Sequence, residues 1–120
     1  MIAGSLKGRR LASPTWSGLR PTSDRLRETL FDVIAARVPG AHVLDAYAGT
    51  GAVGIEALSR GAAHVTFLDA DRRACALIGR NLAACGVKDR CAMVQTGAER
   101  ARFDPAQFDL VWLEIGRAHV

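Results

Sequence analysis

The stretch Val43-Leu44-Asp45-Ala46-Tyr47-Ala48-Gly49-Thr50-Gly51-Ala52-Val53-Gly54-Ile55-Glu56 decides the fold. An apolar run ends at an acid, a glycine-rich turn follows four residues later, and a helix-prone segment comes next. This order predicts a buried parallel strand, a turn whose backbone a ligand can approach, and a helix whose N-terminus faces that ligand. A carboxylate at the strand end repels phosphate and suits a cationic or hydroxyl-bearing ligand. Asp45 is therefore a candidate ligand-binding residue.

The three glycines of this stretch allow more than one interpretation. Gly49, Gly51 and Gly54 satisfy G-x-G-x-x-G, the fingerprint of dinucleotide-binding proteins, and Asp69 lies at about the distance expected of a ribose-binding acid. In a dinucleotide site, however, the first glycine normally follows the strand directly. Here Asp45 and three further residues intervene. The order acid-x-x-x-G-x-G resembles motif I of the Rossmann-like methyltransferases, which we favour over a nicotinamide or flavin site and over a tight turn without a ligand.

The composition indicates one small domain with a modest core, because the chain has 120 residues and is 49% hydrophobic. No apolar run approaches the roughly 20 residues of a membrane span, and no signal peptide is evident. The cysteines are odd in number and lack C-x-x-C spacing, which predicts free thiols in a reducing cytoplasm and no zinc site: Cys75, Cys85 and Cys91. We therefore expect a cytoplasmic protein without a metal.

The net charge of +4 is unevenly distributed along the chain. Residues 1–40 hold seven Lys or Arg and three acids, whereas residues 41–120 hold nine of each sign. A basic N-terminal segment fits a polyanionic partner, most plausibly nucleic acid. The alternative is an ordinary solvated face.

The N-terminal segment, residues 1–40, divides into an arm and a helix. Residues 1–22 are rich in Gly, Pro, Ser and Arg, which favours an arm or small hairpin. Ser23 or Asp24 can cap a helix running to about Val38, where Pro39-Gly40 ends it. Helical spacing predicts an apolar stripe formed by Leu26, Leu30, Phe31 and Ile34.

Beyond residue 40 the chain alternates strands and helices. Strands are predicted at 42–46, 64–69, about 91–95 and 108–113, with helices at about 51–60 and 72–85. This alternation predicts a parallel sheet with right-handed crossovers. The last seven residues, 114–120, match the translation of a common sequencing-adapter read. We therefore expect native sequence to end at Leu113, which gives three segments: the basic arm and helix at 1–40, the N-terminal half of a ligand-binding domain at 41–113, and a non-native tail.

Together with motif I, two further blocks resemble the small-subunit ribosomal RNA guanine-N2-methyltransferases, the RsmD family, across residues 2–113. The blocks are Ile2-Ala3-Gly4 with Lys7-Gly8-Arg9-Arg10-Leu11, and Arg20-Pro21-Thr22-Ser23-Asp24-Arg25 with Arg27-Glu28 and Leu30-Phe31. The resemblance implies a Rossmann-like α/β sheet with helices on both faces, here truncated after strand 4. It also implies S-adenosylmethionine as the cofactor, ribosomal RNA or a small-subunit particle as the partner, and a monomeric full-length protein.

The resemblance also implies roles for individual residues at the cofactor. Asp45 would lie by the ammonium group or backbone of the methionine moiety, and Gly49 and Gly51 would allow close approach. Asp69 would accept hydrogen bonds from both ribose hydroxyls. The alternative for Asp69 is a helix cap, for which Asp71 is the better candidate. A further contact is implied for Thr22, with Arg20, in a segment folded over the cofactor entrance. At the adenine two alternatives stay open, a shifted Glu99 or a backbone amide near Gly97-Ala98.

Basic residues of the N-terminal segment would hold the RNA. Contacts to phosphate, which position RNA without reading its sequence, are implied for Lys7, Arg9 and Arg10, with Arg20 and Arg25 as further candidates. For Arg25 and Arg27 a solvated helix face remains the alternative.

Two departures from the family pattern bear on activity. No acid stands at the expected place after strand 3, where the chain reads Gln95-Thr96-Gly97-Ala98-Glu99. After strand 4 the family has Asp-Pro-Pro-Tyr, whereas here Leu113 is followed by Glu114-Ile115-Gly116. We therefore assign no catalytic residue and expect this chain not to methylate RNA.

Three alternatives to this function stay open. The chain can belong to an enzyme of the same cofactor class acting on another amine, such as adenine N6 or a protein glutamine. It can be a fragment of a dinucleotide-binding oxidoreductase, or a non-catalytic RNA-binding module.

Overall fold

A computed structural model describes residues 3–12, 24–46, 48–97, 100 and 102–113. The arm, defined here as residues 3–12, consists of bends, turns and chain without regular secondary structure. After it come the helices α1 (Asp24–Val33), α2 (Ala52–Ser59) and α3 (Arg72–Cys85), and the strands β1 (His42–Asp45), β2 (His64–Leu68), β3 (Cys91–Val94) and β4 (Leu110–Trp112). Short 3-10 helices cover Ala35–Arg37, Lys88–Arg90 and Pro105–Gln107. The predicted alternation of strands and helices is confirmed.

The four strands form one parallel sheet in the order β3-β2-β1-β4. Asp45, the last residue of β1, is in register with Phe67 of β2 and Trp112 of β4. Because the strands are parallel, the carboxyl ends of β1, β2 and β4 lie at one edge of the sheet. Ligands of open α/β sheets bind at this carboxyl edge.

The core has two parts on opposite faces of the sheet. Consecutive residues of a strand point to opposite faces, so Val43 and Phe67 join one cluster whereas Leu44 and Leu68 join the other. All three α-helices contribute to the larger cluster, through residues such as Phe31, Ile55, Leu58, Ile78 and Leu82. The smaller cluster is completed by Phe103 and Phe108 from the segment between β3 and β4.

Helix α1 differs from the prediction in its length and in its buried face. It ends at Val33, and the chain tightens into the 3-10 turn Ala35–Arg37 before Pro39. Leu26, predicted to be apolar core, is 49% exposed, whereas Arg27, for which a solvated face was one alternative, is only 5% exposed. Arg27 is buried because its guanidinium pairs with Glu56 of α2, with Nε and Oε1 3.7 Å apart. The ion pair with Glu56 of α2 therefore determines which face of α1 is buried.

None of the helices in the described residues is long and apolar enough to cross a membrane.

Candidate functional site

The turn between β1 and α2 lies at the carboxyl edge of the sheet. Gly49 and Gly51 adopt positive φ angles of 58° and 84°, a conformation that residues with a Cβ rarely adopt. The turn is tied to the sheet by the Ala48 N–H, which donates to the Leu68 carbonyl at 2.9 Å, and it closes with Gly51 N–H donating to the Ala48 carbonyl at 2.8 Å. The two glycines therefore allow the chain to make a tight turn at the position that the sequence predicted.

Asp69, directly after β2, supports this turn with its carboxylate. Oδ2 accepts from the Gly49 N–H at 3.0 Å and Oδ1 accepts from the Asp71 N–H at 2.9 Å. The side chain is 4% exposed. An ionised carboxylate accepts hydrogen bonds at about four positions, so one such side chain can serve several donors. The structure thus brings Asp69 and the glycine turn together.

Asp71, not Asp69, caps helix α3. Its Oδ1 accepts from the Arg73 N–H at 2.8 Å, and the Arg73 side chain bonds both carboxylate oxygens. These bonds hold the pKa of Asp71 below its ordinary value. Because Asp71 caps α3, the Asp69 carboxylate bonds the glycine turn instead. This agrees with the prediction that Asp71 is the better candidate for the capping residue.

Asp45 lies at the carboxyl end of β1 and is 1% exposed. Since β1 and β2 are neighbours in the sheet, Asp45 and Asp69 stand at adjacent strand ends on either side of the glycine turn. Two acids at such a turn disfavour the pyrophosphate of a dinucleotide. They suit a ligand that presents an ammonium group and hydroxyls.

The arm is fastened to the C-terminal end of α2 through side chains that sequence reasoning missed. The Ser59 hydroxyl accepts from the Leu6 N–H at 2.9 Å and donates to the Ala3 carbonyl. The buried Glu56 accepts from the Ala3 N–H at 3.1 Å and from Arg60 Nε at 2.8 Å. Leu6 is buried in the larger core cluster. The arm is thus a docked part of the fold.

Asn81 of α3 joins the far end of the arm to the glycine turn. Its Oδ1 accepts from the Ala12 N–H at 2.7 Å, and its Nδ2 donates to the carbonyls of Ala12 at 3.3 Å and Thr50 at 3.0 Å. The residue is buried. Sequence reasoning missed it, although a polar residue between the apolar positions Ile78 and Leu82 of a helix was a signal that a buried partner exists.

The predicted RNA-binding cations that fall within the described residues are exposed: Lys7, Arg9, Arg10 and Arg25. Arg9 also contacts the fold, because its Nη1 donates to the Ala84 carbonyl at the end of α3 at 2.8 Å. The predictions for Arg20, Thr22 and Ala98 lie outside the described residues, as does the tail at 114–120.

The three cysteines are free thiols, as predicted. Cys75, in the first turn of α3, donates from Sγ to the Asp69 carbonyl at 3.4 Å. Burial, followed by the negative charges of Asp69 and Asp71, raises the pKa of its thiol. No group of three or more His, Cys, Asp or Glu side chains suited to a metal ion occurs in the part of the chain that the structure describes.

Comparison with known proteins gives a consistent result over most of the chain. The model of the family described as conserved hypothetical protein 95 matches residues 1–114. The ribosomal RNA small subunit methyltransferase D of Escherichia coli K12 is 48% identical over 83 residues, which are 69% of this chain and 42% of that protein. The chain therefore spans less than half the length of this curated relative.

Solved structures show the same similarity. The E. coli protein yhhF, provisionally described as a methyltransferase, superimposes with a TM-score of 0.74 at 43% identity, covering 82% of this chain and 52% of that one. An RNA methyltransferase from Salinibacter ruber, solved in complex with S-adenosyl-L-homocysteine, gives a TM-score of 0.67 at 20% identity, covering 77% of this chain and 58% of that one. At that identity the second likeness shows the fold alone.

Proposed function

Because this chain belongs to the conserved hypothetical protein 95 family, the family of ribosomal RNA small subunit methyltransferase D, we propose a substrate and a cofactor for the whole protein. It methylates the exocyclic N2 amine of a guanine in small-subunit ribosomal RNA in the cytoplasm, with S-adenosylmethionine as the methyl donor. This chain contributes the cofactor site and part of the RNA-binding surface.

The observation that carries the cofactor assignment is the pair of buried acids flanking the glycine turn. S-adenosylmethionine carries an ammonium group and a ribose diol and has no phosphate, which matches acceptors at Asp45 and Asp69. The positive φ angles of Gly49 and Gly51 shape this turn. A Cβ at Gly51 would lie 3.3 Å from Cγ1 of Ile78, so this glycine also lets the turn pack closely on α3. When bound, S-adenosylmethionine supplies a methyl group activated by its sulfonium.

Asp69 holds the ribose and the turn at the same time in this proposal. The Gly49 and Asp71 N–H groups already fix its carboxylate, so the oxygens have a fixed direction before the ligand arrives. Such preorganisation lowers the cost of ordering the site on binding. Asp45 would accept from the ammonium group of the methionine moiety, where an ionised carboxylate bonds most strongly.

The cofactor assignment is tested by calorimetric titration of the chain with S-adenosylhomocysteine, with NAD as the control ligand. We expect binding of S-adenosylhomocysteine and none of NAD. Asp69→Asn should weaken binding about tenfold or more, since a charge-assisted hydrogen bond is lost. The matched control is Asp89→Asn, which removes an equal charge from an exposed residue and should leave the affinity unchanged. Preference for NAD would overturn the assignment.

The methyl-accepting side of the site is proposed to come from the part of the family's length that this chain does not span. Asp-Pro-Pro-Tyr is expected after strand 4 to hold the target amine, and this sequence does not contain it. A sulfonium methyl is already a reactive donor, so holding the amine in line with it is the main catalytic requirement. We accordingly propose that the chain as given binds the cofactor and does not transfer the methyl group.

A chimera tests the reaction. Residues 1–113 of this chain are joined to the remaining C-terminal part of the E. coli relative, and small-subunit RNA from cells lacking that relative is the substrate. We expect N2-methylguanosine in the nuclease digest, detected by mass spectrometry, and no product with the 120-residue chain alone. N6-methyladenosine would instead support the alternative amine, and methylation by the chain alone would contradict the assignment of the acceptor site.

A further inference from the structure

The arm and helix α3 share one surface although they are far apart in sequence. Arg9 bonds the Ala84 carbonyl at the end of α3, and the backbone of Ala12 exchanges two hydrogen bonds with Asn81. These contacts set the arm against the C-terminal half of α3. The arm and the C-terminal half of α3 therefore lie side by side on one face of the molecule.

This face, hereafter the arm–α3 surface, is more basic than the chain as a whole. Residues 3–12 and 72–85 contain no acid and six basic residues, all exposed: Lys7, Arg9, Arg10, Arg72, Arg73 and Arg80. The net charge of the complete chain is only +4, so the rest of it is net negative. Counted along the sequence, residues 41–120 are neutral, and it is the fold that places the positive charge of α3 beside the arm.

The cations follow the axis of α3 towards the cofactor site. Arg73 and Arg80 are seven residues apart, which is two helical turns, so they emerge from the same face. Ala84, which receives Arg9, lies one turn further on. From Arg73 to Ala84 the helix rises about 16 Å. The N-terminal end of α3 comes directly after Asp69 and Asp71. The positive charges along α3 therefore extend from the arm to Asp69, the proposed ribose-binding acid.

Arg80 is the central cation of this line. Arg73 is held by Asp71, with Nη2 and Oδ2 3.1 Å apart, which offsets part of its charge. No acid lies within α3, so Arg80 has no opposite charge on its own helix. Its removal should therefore have the clearest effect on any bound polyanion.

The chemistry of the arm–α3 surface favours RNA over an anionic membrane. Surface helices that bind lipid insert large apolar side chains beside their cations. The large apolar residues exposed in the described part of the chain are Leu26, Val33, Val94, Val111 and Leu113, and none of them belongs to the arm or to α3. A face with exposed cations and no apolar insertion fits phosphates of a nucleic-acid backbone.

We propose that the exposed face of α3, centred on Arg80, extends the RNA-binding surface of the arm to the cofactor site by contacting backbone phosphates. This inference rests on the proposed function and adds to it a surface outside the N-terminal segment. The contacts position the RNA and do not read its sequence.

The experiment measures binding of a fluorescently labelled RNA hairpin by anisotropy at about 50 and 200 mM salt, where phosphate contacts have a large effect. Arg80→Glu should raise Kd about tenfold or more and make the slope of log affinity against log salt shallower by about one. The matched control, Arg102→Glu, makes the same charge change at an exposed residue outside the N-terminal segment and α3, and it should change Kd by less than about threefold. Arg80→Gln provides a milder variant, and melting temperatures confirm that each variant is folded.

Equal effects of Arg80→Glu and Arg102→Glu would overturn the inference. It would also fail if vesicles of phosphatidylserine and phosphatidylcholine bound the chain as tightly as RNA and lost that binding in Arg80→Glu. Calorimetry with S-adenosylhomocysteine on the same preparation separates this failure from failure of the proposed function. If the wild-type chain binds both S-adenosylhomocysteine and RNA, and Arg80→Glu leaves the Kd for RNA unchanged, only the proposed RNA contact of α3 is refuted. A folded wild-type chain that binds neither refutes both.

Discussion

At Gly54, helix α2 comes so close to strand β2 that a side chain has no room. A Cβ there would lie 2.2 Å from Cε1 of Phe67 and 2.9 Å from Cγ1 of Val65. Phe67 is fully buried, so its ring has little freedom to move aside. The third glycine of the motif thus serves helix–strand packing, whereas Gly49 and Gly51 shape the turn that we propose binds the cofactor.

Gly54→Ala should destabilise the fold by about 1–3 kcal/mol, because overpacking forces backbone or rotamer shifts. Gly79→Ala in α3 is the matched control: nothing lies within 4 Å of its added Cβ. Alanine is the better helix former, so this control should stabilise by up to about 1 kcal/mol. Urea denaturation measures both free energies of unfolding. Equal effects of the two substitutions would contradict the packing role of Gly54.

Cys75 should alkylate with a pH profile displaced to high pH. Burial and the charges of Asp69 and Asp71 raise its pKa, and the thiolate is the reactive form. The protonated thiol therefore persists to higher pH than in a free cysteine. Rates with iodoacetamide, resolved by peptide mass spectrometry, give the midpoint of the profile. Asp71→Asn removes one of the negative charges and should move that midpoint down; a wild-type midpoint at or below that of glutathione would contradict the prediction.

Among the elements, α3 connects the most parts of the candidate site. Its N-terminus follows Asp69, its middle holds the glycine turn through Asn81, and its C-terminus receives Arg9. A buried hydrogen-bonding side chain at such a position fixes the relative placement of arm and turn.

Asn81→Ala should lower the free energy of unfolding by about 1–3 kcal/mol, because the Ala12 N–H and the Thr50 carbonyl lose a buried partner. The same change should weaken S-adenosylhomocysteine binding, since the glycine turn loses its support from α3. Denaturation and calorimetry on one preparation measure the two effects. Gln95→Ala truncates an exposed amide and is the control expected to change neither. If Asn81→Ala binds S-adenosylhomocysteine with wild-type affinity, the glycine turn keeps its conformation without the hydrogen bond from α3.

At the scale of the whole molecule, β4 is an edge strand of the sheet, and part of it is apolar and exposed. It pairs with β1 alone among the described residues, and its segment exposes Val111 at 49% and Leu113 at 59%. Trp112 of the same strand stacks on Phe31 with ring centroids 6.2 Å apart, and Phe108 packs edge to face on Phe103 with centroids 5.9 Å apart. Val111 and Leu113 therefore form the exposed apolar part of this edge.

The 120-residue chain should self-associate as its concentration rises, because an apolar edge strand can pair with another copy. Val111→Lys places a charge on that edge and should shift sedimentation towards the monomer. Ala36→Lys adds the same charge at an exposed residue of the first 3-10 helix and serves as the control. A wild-type chain that stays monodisperse at all concentrations would contradict the prediction.

Much of the fold followed from local patterns in the sequence. Apolar runs alternating with helical periodicity gave four parallel strands and the bounds of α3, and motif I placed Asp45, Gly49 and Gly51 at the first strand–helix turn. These features are local, because strand and helix periods and the glycine requirement at positive φ act over a few residues. Asp69 was predicted from its place at the tip of the second strand and from the resemblance to the methyltransferase family.

The sequence by itself thus determined the order of elements and the residues at the carboxyl ends of β1 and β2. Only the tertiary structure decided which face of α1 is buried, how the arm docks, and where positive charge collects. Arg27 is buried in an ion pair with Glu56. The Ala12 N–H bonds Asn81, which is 69 residues away in the sequence. The physical reason is that such pairings depend on which side chains the packed elements bring within bonding distance, and no local period encodes that.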